Sequence, residues 1–205
     1  MLINLEQARH ILEFTLDAYS QIRADYWTDV HDTIRDYMSG EESITKYKAA
    51  MKSAVIEAFS LAADTAYVDG GGTLPLDGET LEWYVARQNA ELSYVDALFQ
   101  NLKMERAEGN VEPAAAAFQH ADGYARTLDS IYANVKCMAA GNMMLTFVGE
   151  DGAESCIDCR RYKNKRHRAR WWAAKDAVPP SRKFECHGYR CEHVLVTDDG
   201  RLFTI

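Results

Sequence analysis

Two close pairs of cysteines, Cys156-x-x-Cys159 and Cys186-His187-Gly188-Tyr189-Arg190-Cys191, lie near the end of a 205-residue chain whose fifth cysteine is Cys137. Two intervening residues let a CxxC pair close on one metal ion as a tight knuckle, with the sulfurs about 4 Å apart. The second pair is looser, and Gly188 permits its turn. The chain from 141 to 205 offers only two or three short strands, too little apolar area to stand firmly without a clip. The spacing therefore predicts a tetrahedral, structural zinc site made by Cys156, Cys159, Cys186 and Cys191. An unligated or alternatively paired set, and a redox dithiol, stay open on spacing alone. An odd cysteine count in a chain without a secretory leader pattern favours metal thiolates over disulfides.

His193 lies two residues beyond Cys191, where it can replace a cysteine or support one. His187 is expected to point outward from its turn, and His167 sits in a basic cluster. Cys137 falls on an apolar helical stripe and reads as a small core residue. A site with four thiolates is closed, whereas catalytic zinc keeps a position open beside a general base. The His-x-Glu plus Pro-Cys-x-x-Cys pattern of zinc deaminases is missing, as are a phosphate loop, a Ser/His/Asp layout and GxGxxG. Asp69-Gly70-Gly71-Gly72 has no leading strand and no following lysine, so it reads as a connector. These features predict a protein that is not an enzyme.

Charge is divided unevenly. The stretch 156–190 holds eleven Lys or Arg against three acids, a net +8, and the remainder of the chain carries −16. Within that stretch, Arg160, Arg161, Lys163, Lys165, Arg166, Arg168 and Arg170 interleave with Trp171 and Trp172. Cations mixed with rings suit a phosphate backbone and stacked bases. They equally suit an acidic protein, and a bland alternative has a tryptophan covering the module's small core while the cations are solvated.

Upstream, apolar residues recur at helical spacing. Leu5, Ala8, Leu12, Leu16, Tyr19, Ile22, Tyr26, Val30, Ile34 and Tyr37 mark a long first helix that stops at Ser39-Gly40. Ser43 can cap a second, with Ile44, Tyr47, Met51, Val55, Ala58, Ala62 and Ala66 on one stripe. After the Gly70–Gly72 break and Pro75, a third is predicted from about Glu79 to Arg106, with Leu81, Tyr84, Val85, Gln88, Leu92, Val95, Phe99 and Leu102 facing inward. A fourth follows Pro113 and ends near Gly141-Asn142. Thereafter the pattern changes to a strand over Met143–Gly149, a turn at Glu150–Gly152, a helix-like insert over Arg166–Ala177 and a strand over His193–Thr197. Residues 202–205 can pair back on that last strand. The predicted fold is α+β, a mainly α-helical bundle domain over 1–140 followed by a zinc-clipped, β-containing module over 141–205.

No run approaches the roughly 18 apolar residues of a membrane span, and the N-terminal residues lack the layout of a secretory signal. The expectation is a chain that is made in, and stays in, a cytoplasm, with no membrane partner.

The segment Glu154-Ser155-Cys156-Ile157-Asp158-Cys159, then Arg166-His167-Arg168, Trp171-Trp172, Pro179-Pro180 and Phe184-Glu185-Cys186-His187-Gly188-Tyr189-Arg190-Cys191-Glu192-His193, resembles the C-terminal module of tailed-phage minor head, or head-morphogenesis, proteins. Met51-Lys52-Ser53-Ala54, Asp69–Gly72, Gln88, Ala125-Arg126 and Ile131-Tyr132 are similar to the helical part of that family. The resemblance covers most of the chain from about residue 45 onward, and its cysteine pattern is the specific part. It implies a phage structural protein acting in head assembly near portal and capsid, located in the virion after assembly in the host cytoplasm. It further implies packaged DNA as a neighbour of the basic insert, and, because some relatives carry an extra cysteine in its place, His193 as a ligand or close neighbour of the metal. The alternative is a zinc-module nucleic-acid-binding protein with a regulatory or packaging role.

Overall fold

A computed structural model describes residues 5–40, 42–113, 115–149, 156–181, 183–186, 191 and 193–204; within these, the side chains of 5–17, 116, 120 and 121 are left out of the description. The fold is α+β. Four long helices, α1 (Leu5–Ser39), α2 (Ile44–Asp69), α3 (Gly78–Ala107) and α4 (Ala115–Ala140), precede strand β1 (Met144–Val148), helix α5 (Ile157–Tyr162), strand β2 (Arg166–Arg168), helix α6 (Ala169–Ala174) and strand β3 (Val194–Thr197). Among the described residues, no helix is long and apolar enough to cross a membrane.

Glycine sets the helix ends. At the close of α2 the Gly72 amide reaches the Tyr67 carbonyl and the Gly71 amide that of Val68, both at 2.9 Å, with Gly71 at φ +93°. This pair of bonds uses carbonyls that a helix end otherwise leaves unsatisfied. The same arrangement recurs after α3, where the Asn110 amide donates to the Glu105 carbonyl and Gly109 has φ +88°. Asp77 caps α3 by accepting the Thr80 amide at 2.8 Å, and Tyr67 donates to its other oxygen at 3.0 Å. The Thr80 bonds hold the Asp77 carboxyl below its ordinary pKa.

The chain forms two compact units, residues 1–65 with 85–125, and residues 66–84 with 126–205. In the first, Tyr19, Tyr26, Val30, Ile34 and Tyr37 of α1 are buried, as the stripe predicts. Tyr37 meets Phe99 of α3 edge-on at 5.4 Å, and Tyr26 meets Phe59 of α2 at 5.8 Å. Met51, Val55, Ala58 and Phe59 complete the core from α2, and Val95, Leu98, Phe99 and Leu102 do so from α3. Of the early inward positions expected on α3, Tyr84 is buried, whereas Leu81 and Val85 are 45% and 41% exposed and Thr80 is buried instead. Thr80 and Tyr84, four residues apart, share one face of α3, and Leu81 and Val85 share the neighbouring exposed one.

The second unit contains a three-stranded antiparallel sheet in the order β2-β1-β3. Leu145 and Phe147 of β1 and Leu195 of β3 point to one fully buried face, the period of two that a half-covered sheet requires. The helix-like insert expected over 166–177 is corrected at its start. Arg166–Arg168 is strand, because the free edge of β1 needs a partner, with Met144 opposite Arg168 and Thr146 opposite Arg166. Only Ala169–Ala174 is helical. Residues 202–204 return along β3 through a bridge between Val196 and Leu202 and a 2.8 Å bond from the Phe203 amide to the Leu195 carbonyl. Ile205 and the turn expected at Glu150–Gly152 lie outside the described residues. Beneath the sheet, Trp172, Ala173, Val178, Phe184, Phe203 and Cys137 form one apolar cluster.

Candidate metal centre

Cys156 precedes α5 in extended conformation (φ −67°, ψ 164°), and its sulfur caps that helix by accepting the Cys159 amide at 3.4 Å. The two residues between the cysteines thus form the first helical turn. That turn is braced from the other knuckle: Glu185 accepts the Ile157 amide at 3.0 Å, and the Glu185 amide donates to Asp158 at 2.9 Å. Cys186 follows Glu185 directly, so the brace joins the backbones that carry Cys156 and Cys186.

Five donors meet here in two overlapping triplets. The ligand atoms of Cys156, Cys159 and Cys186 lie within 4.8 Å of one another, and so do those of Cys159, Cys191 and His193. Cys159 belongs to both and is buried, at the edge of the apolar cluster, with Cys156, Cys186 and Cys191 packed half-buried against that cluster. His193, 4% exposed, stands just before β3 with its ring 5.2 Å from that of Phe147. It also lies over the backbone of Gly149. A Cβ added at Gly149 would fall 2.7 Å from its Cγ and 2.9 Å from its Nε2. His187, Gly188, Tyr189 and Arg190 lie outside the described residues.

The electrostatics of the group favour a cation. Burial, then the Cys156 contact and the neighbouring charges of Cys191, Cys156 and Cys186, push the Cys159 thiol well above its ordinary pKa. Partial burial works against ionisation of Cys156 too, but hydrogen bonds with Cys159 and Cys186 outweigh it and hold that thiol below its usual value. Several thiolates cannot share so small a volume unless a positive ion compensates them. The residues can therefore hold a metal ion, and a sulfur-rich set with one imidazole is chemically suited to zinc. Cys137, fully buried in the core and with its thiol pushed up by burial, stands apart from both triplets.

The basic stretch divides into two kinds of residue. Arg166 forms a two-pronged pair with Asp198, at 2.8 and 2.5 Å, and Arg168 donates to Asn142 at 3.3 Å. Arg160, Arg161, Lys165 and Arg170 are exposed, and Lys163 is half-buried. Trp171 is half-buried and stacks on His167 at 3.7 Å. Trp172 overturns its assignment to an interface. It is 0% exposed and donates its indole N–H to the Leu145 carbonyl at 3.2 Å, so no ring face is left for a base or a partner. Adjacent residues on a short helix point to different sides, which is why the pair divides.

Three contributors escaped the sequence reading. Asp158 and Glu185 are spaced like ordinary surface acids, and nothing local announces that they brace two knuckles. Gly149 shows no turn geometry that requires glycine; only its close contact with His193 explains it. Comparisons with protein-family models, curated proteins and solved structures found no match.

Proposed function

We propose that this chain is a structural protein of the tailed-phage head, of the minor head or head-morphogenesis kind, which works by assembly rather than turnover. Supporting it, the cysteines and histidine that carry the resemblance come together in two triplets joined through Cys159, although Cys156 and His193 stand 37 positions apart in the sequence. In this reading zinc closes the site and fixes α5 to the 184–193 segment, and the module presents its cations to the portal or capsid and to packaged DNA. The metal's part is conformational. It holds two knuckles that lack enough apolar area of their own. The protein is then a virion component assembled in the bacterial cytoplasm.

Mass spectrometry of gradient-purified particles, combined with co-sedimentation with the portal protein of the same particles, tests the assignment. The protein should be present at low copy and travel with portal-containing heads. Its absence from particles, or a gene neighbourhood without portal, terminase and capsid genes, overturns it.

A second reading, a nucleic-acid-binding protein with a regulatory or packaging role, draws support from Arg160, Arg161, Lys165 and Arg170, exposed cations close together in sequence. It predicts duplex binding by the purified protein alone, outside any particle.

A further inference from the structure

Two triplets of donors share Cys159, five donors in all, whereas a tetrahedral ion takes four. Building on the metal centre above, we infer that Cys156, Cys159, Cys186 and His193 close the site, and that Cys191 is a reserve donor beside Cys159 that takes the fourth position when the imidazole is removed.

Three members are set by the backbone. Cys159 is common to both triplets and buried, so any arrangement using both knuckles includes it. Cys156 is tied to Cys159 through the capping bond, and Cys186 is tied to α5 through the Glu185 brace. The choice lies between Cys191 and His193.

Preorganisation favours the histidine. Val194, its immediate neighbour, is in register opposite Val148 on β1, and the ring is seated between Phe147 and the bare backbone of Gly149. A donor already held in place loses little conformational freedom when it binds. Cys191 is half-buried and lies outside the strand, its sulfur 4.0 Å from the His193 carbonyl.

Charge favours the same choice. Three thiolates and a neutral imidazole leave a zinc site with one net negative charge, whereas four thiolates leave two. Beside an apolar cluster the second negative charge is costly to desolvate. Cys191 nevertheless lies within reach of Cys159, so removal of the ring leaves a fourth donor available.

Cobalt(II) substitution of the purified protein counts thiolates through sulfur-to-metal charge-transfer intensity, and cadmium-113 resonance of the unmutated protein reports the donor set with no variant at all. Three sulfurs and one nitrogen are expected. C191S should keep one metal per chain with an unchanged cobalt spectrum, and H193A should keep one metal while charge transfer rises by one thiolate's share. C159S should lose the metal. A four-sulfur cadmium signal, a drop of one thiolate in C191S, or two metals per chain bridged through Cys159 would each overturn the inference while leaving a metal centre in place. Unmutated protein that takes up neither ion sinks the metal centre itself. Should a variant not fold, the cadmium signal of the unmutated protein decides alone.

Discussion

Glu185 and Asp158 are joined across 27 residues of sequence, the Glu185 amide donating to the Asp158 carboxylate at 2.9 Å. The Glu185 carboxylate returns the contact one residue away, accepting the Ile157 amide at 3.0 Å. Neither side chain is a metal donor, yet together they set the distance between the two knuckles. Groups that position metal ligands matter nearly as much as the ligands. D158A should weaken zinc binding about 10-fold, measured by competition with a chromophoric chelator, with far-UV circular dichroism unchanged. Unaltered affinity would show that the knuckles are set by other means.

Gly149 leaves room for the His193 ring, and an alanine methyl would overlap it. Either the ring moves or the end of β1 does. G149A should therefore destabilise the fold by about 1–3 kcal/mol, the usual cost of overpacking a filled space. A thermal melt of the zinc-loaded protein reads this directly. An unchanged melting temperature contradicts the packing described.

Trp172 separates the interface reading from the core reading. Its burial among Phe147, Tyr162 and Trp171, with the indole bond to Leu145, predicts a loss of about 3–5 kcal/mol for W172A. W172F keeps most of the ring volume and should cost about 1–3 kcal/mol through the carbonyl left without its donor. Denaturant titration gives both values. Were W172F instead to lower nucleic-acid affinity without loss of stability, the tryptophan would belong to the surface.

The exposed cations make a separate claim. If they meet phosphate, the logarithm of duplex affinity falls linearly with the logarithm of salt concentration, and each of R160A, R161A, K165A and R170A should flatten that slope by about 1. R166A is the contrast, because that guanidinium is engaged by Asp198. Its removal should leave the slope nearly unchanged. Binding that ignores salt, or no binding to duplex at all, contradicts a phosphate contact by this surface.

Much of the fold is readable from local chemistry. Gly70–Gly72, Gly109 and Gly141 stop three helices where their patterns predict, because backbone conformation at those positions is decided by the residue itself. The cysteines are readable for the same reason, since spacing alone limits what two sulfurs can reach. Features set by distant partners are not. Arg166–Arg168 becomes a strand only because β1 has an open edge, and Leu81 and Val85 turn outward beside a buried Thr80 and Tyr84, a choice of face that packing makes. Likewise, two adjacent tryptophans carry no sign of which one enters the core. Their division follows from the side of α6 that meets β1.

Metal content of protein purified without added zinc, followed by a thermal melt with and without EDTA, tests the central claim of a closed structural metal centre most directly. One zinc per chain and a large fall in melting temperature on chelation are predicted, because ion binding supplies folding free energy to the 156–193 segment. A metal-free preparation whose melt is the same with and without EDTA would contradict it.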